Sequence, residues 1–87
     1  MKNTVTTEEV QGILSGSSID IKTIFNKCTV VTAKLPNGFI IVESSACVDP
    51  ANYDEKLGVK ICMERIENKV WELEGYKLQS ALAANTK

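Results

Sequence analysis

The chain has 87 residues, enough for one small domain, and 44% of them are apolar, the share of an ordinary globular protein rather than a disordered one. Its formal net charge of -1 gives no basic footprint for general nucleic-acid binding. It contains no histidine, which excludes His-based zinc sites, Cys–His nucleophiles and the Ser–His–acid triad.

Cys28, Cys47 and Cys62 have no CxxC spacing, and at most two of them can pair. The expectation is reduced thiols in a cytosol. The N-terminus has one lysine followed by polar residues and no apolar stretch, so no secretory signal is expected there. No window approaches 18 apolar residues, so no membrane span is expected either.

Taken in order, residues 1–5 read as a loose end. Thr6-Thr7-Glu8-Glu9 has the form of a capping box, with Thr6 as N-cap and Glu9 at N3. Val10, Ile13 and Leu14 follow at helical spacing, and Gly16 stops the helix. An isolated helix this short is marginal and must dock on something. Residues 17–27 fit two patterns. Ile19 and Ile21 alternate as in a strand, while Ile21, Ile24 and Phe25 fit a helical turn. An irregular or short helical connector ending near Asn26 is the reading adopted.

Residues 28–35 and 39–42 are rich in β-branched residues and flank Pro36-Asn37-Gly38. Asn-Gly signals a β-hairpin with a type I′ turn, in which both central residues have positive φ. Pairing Leu35 with Ile40 puts Ala33 opposite Val42 and Lys34 opposite Ile41. Val31, Ala33, Leu35, Ile40 and Val42 then share one face, and Val30, Thr32, Phe39 and Ile41 the other. A lone two-stranded ribbon is marginal, so this one needs a helix on one face and a further strand at an edge.

Asp49-Pro50 reads as an N-cap with proline at N1, or as one turn after which the helix restarts at Asp54. From there to about Leu82 the pattern is helical. Val59, Met63, Ile66, Val70 and Leu73 step as a packed seam does, with Cys62 in the same stripe. Tyr53, Leu57, Ile61, Trp71, Leu78 and Leu82 lie roughly opposite, with Gly75 among them. Residues 50–82 would run ~50 Å as one helix, against a radius of gyration of roughly 12 Å for a compact domain of this length. A helix apolar on two sides and longer than its domain implies a homo-oligomer. The fold class is therefore α+β: short N-terminal helix, β-hairpin and long C-terminal helix, one domain over 1–87, completed by oligomerisation, with a frayed tail at 83–87.

Cys47 is the sharpest chemical candidate, because a helix N-terminus stabilises a thiolate. Asp49 works against that, and no histidine can act as base. The competing reading is a small side chain packed at the strand-to-helix corner. Ser44, Ser45 and Cys47 could present hydroxyls and N–H groups to an anion at the same helix end, though no glycine permits close backbone approach. Asp49, Asp54 and Glu55 match no calcium loop and are explained by capping. No metal and no cofactor is implied. Trp71, Gly75 and Tyr76 read either as a recognition surface with aromatic anchors or as packing within the chain or an oligomer. A mid-helix glycine costs ~1 kcal/mol relative to alanine, so a packing reason for Gly75 is expected.

Leu35-Pro36-Asn37-Gly38-Phe39, Ser45-Ala46-Cys47 with Pro50, Asn52, Tyr53 and Asp54, then Leu57-Gly58, Trp71 and Leu73-Glu74-Gly75-Tyr76 together resemble a family of small accessory proteins of tailed bacteriophages and prophages. The resemblance covers about half the chain. The family usually has a glycine before its Glu-Ser-Ala-Cys stretch. Here Val42-Glu43-Ser44-Ser45 departs from that pattern, at the end of the second strand. The resemblance implies a phage gene product acting in the cytoplasm of the bacterial host, and it carries no activity over. The expectation is a non-enzymatic protein that binds a host protein during infection. The alternative is an oligomeric binder of a small anionic metabolite or nucleotide, and a cysteine-dependent enzyme ranks last.

Overall fold

Thr6 opens the first helix, α1 (Thr7–Ser15), as its spacing predicts. Its Oγ1 accepts the Glu9 N–H at 3.2 Å, and the Glu9 carboxylate accepts the Thr6 N–H at 3.4 Å. Lys2 pairs with that carboxylate and, as the largest cause, holds its pKa below the usual value; the hydrogen bonds from Thr6 act in the same direction. α1 ends at Gly16, whose φ of -87° is not left-handed. Space is tight there: a Cβ would sit 3.3 Å from Pro36 Cγ and from the Gly12 carbonyl oxygen. The structure is a computed structural model that describes residues 2–85.

Residues 17–27 correct the expected connector. They supply a full strand, β1 (Ser18–Ile24), paired antiparallel with β2 (Cys28–Lys34). The alternation of Ile19 and Ile21 prevails because β2 offers its edge for pairing. Phe25, Asn26 and Lys27 join the strands, the first two at φ 55° and 58°, and Lys27 N–H bonds the Ile24 carbonyl. Two positive central φ values mark a type I′ turn.

β3 (Ile40–Ala46) completes an antiparallel sheet of order β1-β2-β3. Its register differs by one residue from the expected one: Lys34 pairs with Ile40 and Ala33 with Ile41. The turn is the cause. Leu35 and Phe39 close a three-residue loop in which only Gly38, at φ 95°, is left-handed. Pro36 holds a negative φ at the turn's first central position, and Gly38 forms the bulge that follows. A one-residue slip inverts a strand's faces. Ile41 is accordingly buried with Val31, Ala33 and Leu35, while Ile40 and Val42 face outward at 50% and 56% exposure.

After β3, Asp49 caps a single 3-10 turn (Pro50–Asn52), and the helix restarts at Asp54 as α2 (Glu55–Asn85). Its buried stripe is Gly58, Cys62, Ile66 and Val70, in steps of four. The expected seam of alternating fours and threes is corrected: Val59 and Met63 flank the stripe, and Leu73 is exposed. Gly58 and Cys62 are small, so the helix settles onto the sheet along that ridge. Full burial of Ile66 and Val70 contributes ~1.5–3 kcal/mol each. The core joins Val10 of α1 to these residues and to the inner face of β2 and β3, with Val5, Ile13, Leu14, Met63 and Trp71 around it.

The molecule measures 57 × 21 × 18 Å with a radius of gyration of 16.0 Å, well above the ~12 Å of a compact chain this long. The excess is α2, whose buried stripe ends at Val70 while the helix continues to Asn85. Of the expected loose ends, Met1 and residues 86–87 lie outside the described residues. Within them Val5 packs on the core, and residues 83–85 are helical. The α+β arrangement of short helix, hairpin and long helix stands, with a third strand added.

Candidate functional site

The strand-to-helix corner gathers several of the candidate residues. Cys47 N–H continues the β2–β3 ladder to the Lys27 carbonyl at 3.0 Å. Its thiol points at two carbonyl oxygens, Asp49 at 3.2 Å and Lys27 at 3.7 Å. Asp49 Oδ1 accepts the Ala51 N–H at 2.9 Å, and Asp54 Oδ1 accepts the Leu57 N–H at 3.2 Å. The start of α2 thus already receives a carboxylate from its own chain, which is the negative charge such an end favours.

Ser45 and Cys47 line a cleft of about 160 Å³ with Asn52, Tyr53, Asp54 and Leu57. Ser44 is not part of it. As β3 alternates, Ser44 lies on the opposite face of the sheet, and its carbonyl accepts Arg65 Nη1 at 2.7 Å. A larger hollow of about 420 Å³ lies between α1, the β2–β3 turn and α2, lined by Glu8, Glu9, Leu35, Pro36, Glu74 and Lys77. Three carboxylates against one ammonium make it unfavourable for an anion.

Trp71, Gly75 and Tyr76 lie elsewhere, where α2 leaves the sheet. Trp71 is half-buried against the core and Tyr76 is 77% exposed. Gly75 gives no close approach within the chain, because a Cβ there would meet no atom within 4 Å. The candidates therefore form two separate groups, one at the strand-to-helix corner and one along the projecting helix.

Sequence reasoning missed the best-connected polar group. Tyr53 OH lies 2.5 Å from Thr29 Oγ1 and 2.9 Å from Thr23 Oγ1, and Thr23 also reaches Glu55 Oε2 at 3.3 Å. Thr29 is fully buried, so its hydroxyl requires that partner. Gly58 packs on the same threonine so tightly that a Cβ would overlap Thr29 Oγ1. The available signal was Thr29 alternating with Val31, Ala33 and Leu35 on one strand face. The deepest thiol is Cys62, whose pKa burial pushes up; nearby Arg65 opposes the rise.

Among the described residues no helix is long and apolar enough to cross a membrane. No curated protein and no solved structure matches the chain. Residues 5–82, from the capping box through β1 and most of α2, match the phage protein (N4 Gp49/phage Sf6 gene 66) family, and the chain belongs to that family.

Proposed function

We propose that this phage protein is a non-enzymatic accessory factor that acts in the host cytoplasm, as a homo-oligomer, by binding a host protein during infection. The observation that carries the reading is the outer face of the sheet. Ile40 and Val42 stand exposed there on β3, with Val30 of β2 diagonal to Val42, while α2 lies on the other face. Exposed apolar side chains grouped at a sheet edge offer a contact surface to a partner. The thiol of Cys47 aims at two backbone carbonyls, which supports a packing role for it.

Affinity capture from infected cells with mass spectrometry tests the reading. A host protein retained by the wild type and lost with Val42→Asp, at unchanged melting temperature, is the expected result. Retention of no host protein, or retention that ignores Val42→Asp, overturns it. The second reading, a small anionic ligand, draws on the cleft beside Ser45 and Cys47. Asp54 weighs against it by supplying the carboxylate that the helix end would otherwise take from a ligand. Calorimetric titration with nucleotides separates the two readings, because only the second produces heat.

A further inference from the structure

We infer that β1 pairs antiparallel with β1 of a second copy about a two-fold axis at Ile21, joining two three-stranded sheets into one of six strands. The inference rests on the homo-oligomer in the reading above and specifies how it is built.

Three observations carry it. The first is that β1 is an open edge: all seven of its residues are exposed, α2 packs on β2 and β3, and only the Thr23 side chain meets Tyr53 and Glu55. The second is which backbone groups are free. Leu35 N–H bonds Phe39 O, so the odd residues of β2 point their backbone groups at β3 and the even ones at β1. The carbonyl of Ser44, an even residue of β3, is accordingly free to accept Arg65. By the pairing of β1 with β2, Ser18, Asp20, Lys22 and Ile24 are used, while Ile19, Ile21 and Thr23 present N–H and C=O groups outward.

The third is charge. Asp20 and Lys22 stand on the outer face 3.8 Å apart, largely exposed. Only registers that pair odd residues with odd ones satisfy the free groups. Centring on Asp20 sets aspartate against aspartate, and centring on Lys22 sets lysine against lysine, both of which are unfavourable. Centring on Ile21 sets each Asp20 opposite the partner's Lys22, at non-hydrogen-bonded positions where side chains are closest. That register also overlaps the whole strand, with Ile19 opposite Thr23 and Ser18 opposite Ile24. Ile21, now 43% exposed, would meet its own copy on the inner face, between the two long helices. Self-complementarity of this kind is what a two-fold interface requires.

Sedimentation equilibrium of four proteins tests the pairing. The wild type is expected to form dimers at micromolar concentration. Asp20→Lys and Lys22→Asp each replace two attractive pairs with two repulsive ones and should weaken the dimer at least about tenfold. The double variant Asp20→Lys/Lys22→Asp restores opposite charges and should restore the dimer. Amide hydrogen exchange supplies a second readout: in the dimer, the N–H groups of Ile19, Ile21 and Thr23 should be protected, and in the single variants they should exchange freely. A monomeric wild type, a dimer indifferent to the single reversals, or a double variant no better than either single one overturns the inference. A wild type that dimerises with Ile19, Ile21 and Thr23 unprotected sinks this interface but leaves oligomerisation intact.

Discussion

Along β3 the long helix lies close enough for Arg65 to donate to the Ser44 backbone carbonyl and for Lys69 to reach Glu43 at 3.8 Å, whereas along β1 its first residue, Glu55, meets only the Thr23 side chain, at 3.3 Å. The β3 edge has one of its outward carbonyls, that of Ser44, engaged and two cations near it, and charged side chains at an edge discourage further strand addition. The other edge keeps its free backbone groups and a compact pair of opposite charges. The placement of α2 over β2 and β3 creates the asymmetry. It buries Ile41 in the core and leaves Ile19 and Ile21 about two-fifths exposed. A sheet closed on one side and open on the other is poised for a finite assembly, because pairing of the open edges exhausts them.

The sharpest way to break this comparison is to make the same change on each edge strand. Ile41→Ala should destabilise the fold by about 2–5 kcal/mol, as the loss of a fully buried side chain does. Ile21→Ala should cost the isolated chain less than about 1 kcal/mol, since much of that side chain is already in water. Thermal melts at two protein concentrations separate the effects. The Ile41→Ala deficit should be the same at both, while the Ile21→Ala deficit should grow with concentration as the dimer is lost. Equal deficits at low concentration would mean that β1 belongs to the monomer's core.

How far these differences could be read in the sequence depends on whether they are local. The capping box at Thr6 and Glu9, the caps at Asp49 and Asp54, and the helical pattern of α2 depend on residues within a turn or two of each other, and all are present. β1 was illegible because Ile19, Ile21 and Ile24 fit both periods, and only the edge of β2 decides between them. The register of β3 failed for a different reason. Asn37-Gly38 suggests a two-residue turn, but Pro36 ahead of it favours the first central position of a three-residue loop, which inverts the faces. Of the candidate site, the carboxylate caps were legible. The bridge from Tyr53 to Thr23 and Thr29 was not, because it joins two strands and a turn that only the tertiary fold brings together.

A second pair of substitutions sharpens the contrast along α2 itself. Gly58→Ala drives a methyl group into Thr29 and should cost about 1–3 kcal/mol, the usual penalty of overpacking. Gly75→Ala meets open space in the single chain and should stabilise the helix by ~1 kcal/mol. Melts of the two variants under monomeric conditions give the comparison. A destabilising Gly75→Ala that appears only at higher concentration would place another copy against the projecting helix, in addition to the pairing at β1.

The smallest effect on stability, and the most direct test of the closed edge, is expected from Arg65→Ala. The Arg65 side chain is exposed and its bond to the Ser44 carbonyl is a surface contact, so its removal should cost no more than about 1 kcal/mol. The change in assembly should be larger. With Arg65 gone, the Ser44 carbonyl joins the outward groups of Ile40 and Val42 in being open to a further strand, and Ile40 and Val42 give that edge apolar side chains. A chain with two open edges no longer exhausts its pairing in a dimer, and sheets can add end to end without closing. Arg65→Ala should therefore sediment as a concentration-dependent series of species larger than the wild type. Combining it with Asp20→Lys should return the series to dimers, now joined through β3. If Arg65→Ala sediments as the wild type does, the guanidinium is not what closes the β3 edge, and the asymmetry between the two edges must come from the bulk of α2 alone.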